Sequence, residues 1–307
     1  MLKIVQNNPY RFLGVCSNAP TAERLANSRK LNAFLKVNKE VSFPLDLTHL
    51  LPSLERTIDG MNAANNSINL PKDQLKFALF WFISSSAIDK MALEYLQNGN
   101  TSKSAELFGK KETFSSLINQ GVLAFISEDY GKAIQCVTKV IHDDEYRTAF
   151  VEAVCGSTFN ISEEDLAQLY IDTLLEEIKV TELKDLFEQY GTSSDDDELL
   201  QEKAIGEPIA AINSAVAQAK NIKNDDAPAQ YQAGVTLMNS TKADLQAIRS
   251  ILGTSNMQYQ MVADNLAKQI LQCGINYYNN ASEDEDVEIE KAFTLQNYAL
   301  SIAVGRL

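Results

Sequence analysis

The chain has 307 residues, 45% of them hydrophobic, and a net charge of −14. That length buries a sizeable core, split over two or three units, while the acid excess argues against a nucleic-acid binder, whose phosphate contacts need a cationic footprint. No run of about 20 apolar residues occurs, so no transmembrane helix is predicted, and Phe77–Ile83, the most apolar stretch, is too short to span.

With only 13 Gly and 7 Pro there are few turn residues for a many-stranded fold, and helical spacing recurs where strand-type alternation does not. The expected class is all-α. The first expected unit covers residues 1–85. Pro9 opens a short helix or turn that ends at Gly14, a residue suited to a left-handed helix end. Asn18-Ala19-Pro20-Thr21 reads as a start signal with Thr21 as N-cap. The helix that follows, about 21–37, has Leu25, Leu31, Phe34 and Leu35 near one side and Arg24, Arg29, Lys30, Lys36 and Lys39 as its charge. A loop around Phe43, Pro44 and Asp46 comes next, then a helix from about Pro52 through Leu54, Ile58 and Met61, then one with Pro71 in its first position. Phe77, Phe80, Trp81 and Phe82 are read as core, because so many aromatics exposed together would be an aggregation liability.

Residues 86–190 read as helical hairpins. Gly121 and Ala133 are two small residues twelve apart. A weaker echo runs from Met91 to Ala105, but Ala105 and Ala133 are 28 apart, so the repeat is irregular, and an unrelated bundle fits the same spacing. Ser162-Glu163-Glu164-Asp165 is a capping-box-like helix start, and Val180–Tyr190 is a further short helix. Residues 191–198, Gly-Thr-Ser-Ser followed by Asp195-Asp196-Asp197-Glu198, read as a solvated acidic linker. Residues 199–307 form the last unit, with helix starts near Pro208 and Pro228, one stripe of Val262, Leu266, Ile270 and Tyr277, and another of Val287, Phe293, Tyr298 and Ile302. Residues 279–286 are the hinge between those two helices. The periodic pattern runs to Leu307 without a polar tail, and further repeats or a domain beyond it are expected.

Asn8-Pro9-Tyr10-Arg11-Phe12-Leu13-Gly14-Val15, the basic helix and the Pro71 helix together resemble the J-domain of co-chaperones, and the Gly121/Ala133 hairpin resembles a tetratricopeptide repeat. The first resemblance implies a basic helix facing an acidic surface of the seventy-kilodalton heat-shock ATPase. The family's His-Pro-Asp is missing: Phe43-Pro44-Leu45-Asp46 stands there instead, and Phe43 cannot make the hydrogen bonds of a histidine. Stimulation of that ATPase is therefore not expected. The second resemblance implies a concave groove that binds peptides or proteins.

Charge divides unevenly. Residues 1–85 carry 10 Lys/Arg against 6 Asp/Glu, and residues 86–307 carry 17 against 35. A basic or mixed-charge partner for the acidic groove of residues 86–190 follows, with the basic helix as a second contact. Four separated cysteines form no Cys-x-x-Cys and read as free thiols of a cytoplasmic protein, and the first residues lack the pattern of a signal peptide. His49 and His142 are too isolated for a metal site, and the runs 195–198 and 283–286 lack the spaced ligands of a calcium loop. No nucleotide, dinucleotide, nucleophile-elbow or zinc-protease motif is present, so no catalytic, cofactor or metal residue is named. The expected function is a non-catalytic interaction module, a scaffold or adaptor with a link to protein quality control. An atypical co-chaperone and an all-α enzyme with an unrecognised site are the alternatives.

Overall fold

Side-chain caps set most helix starts. Asn8 accepts from the Tyr10 N–H ahead of α2 (Pro9–Leu13), which follows a single turn, α1 (Lys3–Gln6). α3 (Thr21–Leu35) follows Pro20, and Thr57 caps α4 (Ile58–Asn66). Pro71 opens α5 (Pro71–Ala78). Ser86 and Asn100 cap α6 (Ala87–Gln97) and α7 (Thr101–Phe108), and Thr113 and Ser116 exchange hydrogen bonds at the start of α8 (Phe114–Ile126). Asp129, Asp143 and Ser162 cap α9 (Tyr130–His142), α10 (Asp144–Cys155) and α11 (Glu163–Leu175). Then come α12 (Val180–Tyr190), α13 (Ser194–Lys220), α14 (Ala227–Ser240), α15 (Lys242–Leu252), α16 (Met257–Asn280) and α17 (Glu285–Ile302). Each such cap contributes about 1 kcal/mol. The computed structural model describes residues 1–281 and 285–305, without the side chains of 285–288. Among the described residues it is all-helical with no strand, and no helix is long and apolar enough to cross a membrane.

The chain divides into two units, residues 1–200 and 201–307. In the first, the expected separation at residue 85 is absent: both sides share one hydrophobic core. The reason lies in Leu79–Ile83. The helix ends at Ala78, and this apolar run continues fully buried without helical form. The N–H groups of Leu79, Phe80 and Trp81 bond back to the carbonyls of Leu75, Phe77 and Ala78, and the end of the run is served from outside. The Asn119 side chain accepts from the Ile83 N–H and donates to the Ile83 carbonyl, each at 2.9 Å, and Ser17 donates its N–H and hydroxyl to the Phe82 carbonyl. Trp81 Nε1 donates to the Val15 carbonyl at 3.0 Å, while Phe80 packs between Phe125 and Tyr170 with centroids 5.3 and 5.4 Å away. Phe80, Trp81 and Phe82 are core, as expected, and lie on this buried run; Phe77, on α5, is half-buried and packs against the core.

α6 pairs with α7 and α8 with α9. A Cβ on Gly121 would stand 3.0 Å from Val137 Cγ2 and 3.5 Å from the Ala133 carbonyl oxygen, so α8 and α9 cross closely at the two small residues.

Several boundaries differ from expectation. Thr21 is the first residue of α3, not its cap, and Pro52–Thr57 is not helical. Leu31 alone is fully buried on α3, Leu35 is half-buried, and Leu25 and Phe34 are exposed. The inward face is completed by Asn27, which donates to the Leu13 carbonyl, and Ser28, which donates to Asn65. The expected linker 191–198 is helical from Ser194. Three acids in a first turn favour a helix N-terminus, and Asp196 is buried.

In the second unit Pro208 lies inside α13 rather than at its start. It removes one backbone bond, but Ile205, Ile212 and Val216 are buried on either side of it and hold the helix together. Pro228 stands in the first turn of α14, as expected. The stripe Val262, Leu266, Ile270 and Tyr277 is buried. Among the described side chains of α17, Leu295 and Ala299 are buried, Tyr298 and Ile302 of the expected stripe are half-buried and Phe293 is exposed; the Val287 side chain lies outside the described residues. Of the expected hinge 279–286, residues 282–284 lie outside the described residues, and Asn280 and Glu285 belong to the flanking helices.

Candidate interaction surfaces

Four of the five expected basic contact residues, Arg29, Lys30, Lys36 and Lys39, are exposed, and Arg24 is half-buried with a hydrogen bond to Thr21. Leu25, Phe34 and Val37 are exposed on the same segment. The loop below is a different matter. Pro44 is exposed, but Phe43 and Asp46 are buried. Asp46 accepts two hydrogen bonds from Arg56, at 2.8 and 2.5 Å, and one from the Phe43 N–H. Arg56 also donates to the carbonyls of Phe12, Val41 and Arg11. Arg11 donates to the carbonyls of Gln6, Pro52 and, twice, Asp46. Burial lowers the Arg11 pKa to about 10, against the opposing pull of Asp46. Lys30 and Arg56 lie over the Phe43 ring, 5.1 and 4.9 Å from its centroid. Two arginines thus fasten the 41–57 strap onto α2, and Asp46 serves as their anchor. No local pattern points to the roles of Arg11 and Arg56; an acid inside the apolar run Phe43–Leu47 is the one signal.

His142 is largely buried, its side chain 12% exposed. Its Nδ1 lies 2.7 Å from Glu163 Oε1 and its Nε2 2.8 Å from Asp196 Oδ2. The acids are 21 and 54 residues away in sequence, so spacing gave no hint. His49 is exposed. Among the described residues no cluster of His, Cys, Asp and Glu has the arrangement of a metal site. All four cysteines are free thiols. Burial pushes Cys16 up to about 12 and Cys155 up to about 11, and raises Cys136 and Cys273 as well, which makes them poor nucleophiles.

In the second unit a groove of about 300 Å³ runs between α16 and α17. Gly274 and Ala292 lie along its lining, and Ile275, Tyr278, Ile289 and Phe293 stand 42, 55, 44 and 56% exposed around it. α17 runs close to Gly274: a Cβ there would be in ordinary van der Waals contact, 3.4 Å from the Ala292 carbonyl oxygen. Asn279 and Gln296 supply polar groups at its edges. The stripe Val262, Leu266, Ile270 and Tyr277 is one apolar face of α16. Leu271, Ile275 and Tyr278, spaced by four and three, are a second one.

No family model matches this chain, and no curated protein or solved structure matches it.

Proposed function

We propose that the chain is a non-catalytic interaction module, a scaffold or adaptor, that takes an amphipathic helix of a partner protein into the α16/α17 groove. The carrying observation is the set of four large apolar side chains, each more than two-fifths exposed, around one small groove. Apolar anchors three or four residues apart on a partner helix fill such a groove. Glu285, Asp286, Glu288 and Glu290 lie on α17 beside it in sequence, and residues 201–307 carry 12 acids against 8 Lys/Arg. A partner helix with flanking Lys or Arg fits that charge and is weakened by salt. Panning a display library of helical peptides against the full chain tests this. Enrichment of such peptides, lost on Phe293→Glu, is expected; enrichment indifferent to Phe293→Glu would refute it.

In this reading residues 1–85 are a degenerate J-domain-like part and residues 86–190 irregular tetratricopeptide-like hairpins. The left-handed Gly14 and the close α8/α9 crossing support those likenesses. The exposed face of Arg29, Lys30, Lys36 and Lys39 favours a second contact, to an acidic surface such as that of a heat-shock ATPase. With Asp46 held by Arg56, binding there is electrostatic and brings no stimulation of the ATPase. Loss of chaperone binding on joint Arg29→Gln and Lys30→Gln substitution is expected; unchanged binding would remove this contact.

A further inference from the structure

His142 stands where three helix ends meet. It is the last residue of α9, Glu163 is the first residue of α11, and Asp196 lies in the first turn of α13. Helix polarity favours a cation at the first position and anions at the other two. A neutral imidazole has one N–H, and its other nitrogen offers a lone pair. With carboxylate oxygens 2.7 and 2.8 Å from the two nitrogens, both contacts are hydrogen bonds only when the ring is the imidazolium.

The surrounding charges are accounted for. From α10, Arg147 reaches Glu163 at 3.5 Å and the Ile141 carbonyl at 2.7 Å, and it also pairs with Asp144. Asp143 caps α10. One turn back on α9, Lys139 is held by Glu112. On α11, the Tyr170 hydroxyl is buried without a partner, and Tyr170 and Cys136 both have pKa values raised by burial, so neither supplies charge. Asp197, with one buried oxygen unpartnered, interacts with Glu188 and Lys184 of α12. Among the described residues nothing else donates to Asp196.

We propose that His142 is a pH-sensitive clip that holds the first turn of α13 while the ring is charged and loosens it when the ring is neutral. The two carboxylates differ in what they can do on deprotonation. The Glu163 side chain is 44% exposed and turns to water; that of Asp196, at 3%, cannot. The single remaining N–H therefore stays with Asp196, which is left as a buried carboxylate without a countercharge. Burial opposes the charged ring, but the hydrogen bonds to Asp196 and Glu163 outweigh it and raise the His142 pKa above 6.5. The clip is closed below that ordinary value and opens as pH rises through the raised one. This inference is independent of the helix-binding groove.

Amide hydrogen exchange of the full chain tests it, corrected for the intrinsic pH dependence of exchange and read over residues 193–201 between pH 5.5 and 9. Wild type should lose roughly tenfold in protection, the counterpart of about 1.4 kcal/mol, with a midpoint above 6.5. Glu163→Gln is the decisive variant. It removes one of the two carboxylates that raise the His142 pKa but still leaves Asp196 without a countercharge once the ring is neutral, so the loss of protection should remain and its midpoint should move to lower pH. Wild-type protection that does not change with pH, or an unchanged midpoint in Glu163→Gln, would overturn the proposal.

Discussion

Replacing Arg56 with Met asks what the buried anchor of the strap contributes. The Arg56 and Asp46 side chains are 3 and 8% exposed, with nitrogen–oxygen distances of 2.5 and 2.8 Å. At an effective dielectric of 20 their attraction is about 6 kcal/mol, but desolvation of both ions offsets most of it. The substitution leaves Asp46 with one backbone donor and the neighbouring positive charge of Arg11. Breaking a buried pair costs about 3–5 kcal/mol; Arg11 moves that toward the lower end, and loss of the cation over Phe12 and Phe43 adds roughly 1 kcal/mol. About 4 kcal/mol is expected. Trp81, the single tryptophan, is fully buried in the same core and reports unfolding by its fluorescence. With a urea dependence of about 3 kcal/mol per M, the midpoint should fall by about 1.3 M. The double variant Asp46→Leu with Arg56→Met removes both charges and should regain at least about 1 kcal/mol of the loss. A midpoint shift under about 0.3 M for Arg56→Met, or a double variant as unstable as the sum of the singles, would refute the reasoning.

Gly14 has φ +70°, and a Cβ there would fall 2.1 Å from Phe43 Cγ. Gly14→Ala should cost about 3 kcal/mol from backbone strain and overpacking, read as a melting temperature about 6–12 °C lower. In the second unit a Cβ on Gly234 would meet the buried Leu295 methyls at 2.6 and 2.9 Å, so Gly234→Ala should cost about 1–3 kcal/mol in a urea melt followed by circular dichroism. At pH 8 the native thiols should react with a disulfide reagent at least about 100-fold more slowly than in urea, because thiolate is the reacting form; fast reaction of Cys16 would contradict its burial.

Local signals were legible where they act within a few residues. Pro9 and Gly14 bound α2, Pro71 opens α5, Ser162 caps α11, and Val180–Tyr190 is helical over its whole expected length. What stayed hidden depends on partners distant in sequence. Leu79–Ile83 is tolerated as a buried non-helical run because Asn119, 36 residues beyond Ile83, serves its backbone. The acids at 195–197 look like a linker until His142 is brought to Asp196. Pro208 looks like a helix start because the buried residues on both sides of it outweigh its local cost only in the packed unit. The groove needed the second apolar face of α16 to meet α17, and no local pattern states that pairing.

The most direct test of the interaction-module account is side-by-side affinity capture from the native cell extract with wild type and the Ile275→Glu, Phe293→Glu double variant, at low and high salt, with bound proteins identified by mass spectrometry. Both residues are exposed, so the variant should melt within about 0.5 kcal/mol of wild type. The account predicts a dominant wild-type partner, reduced by salt, that the variant loses by at least about 30-fold, as expected for removal of a central anchor. The same partner bound equally by both chains, or no partner enriched by wild type at either salt, would contradict it.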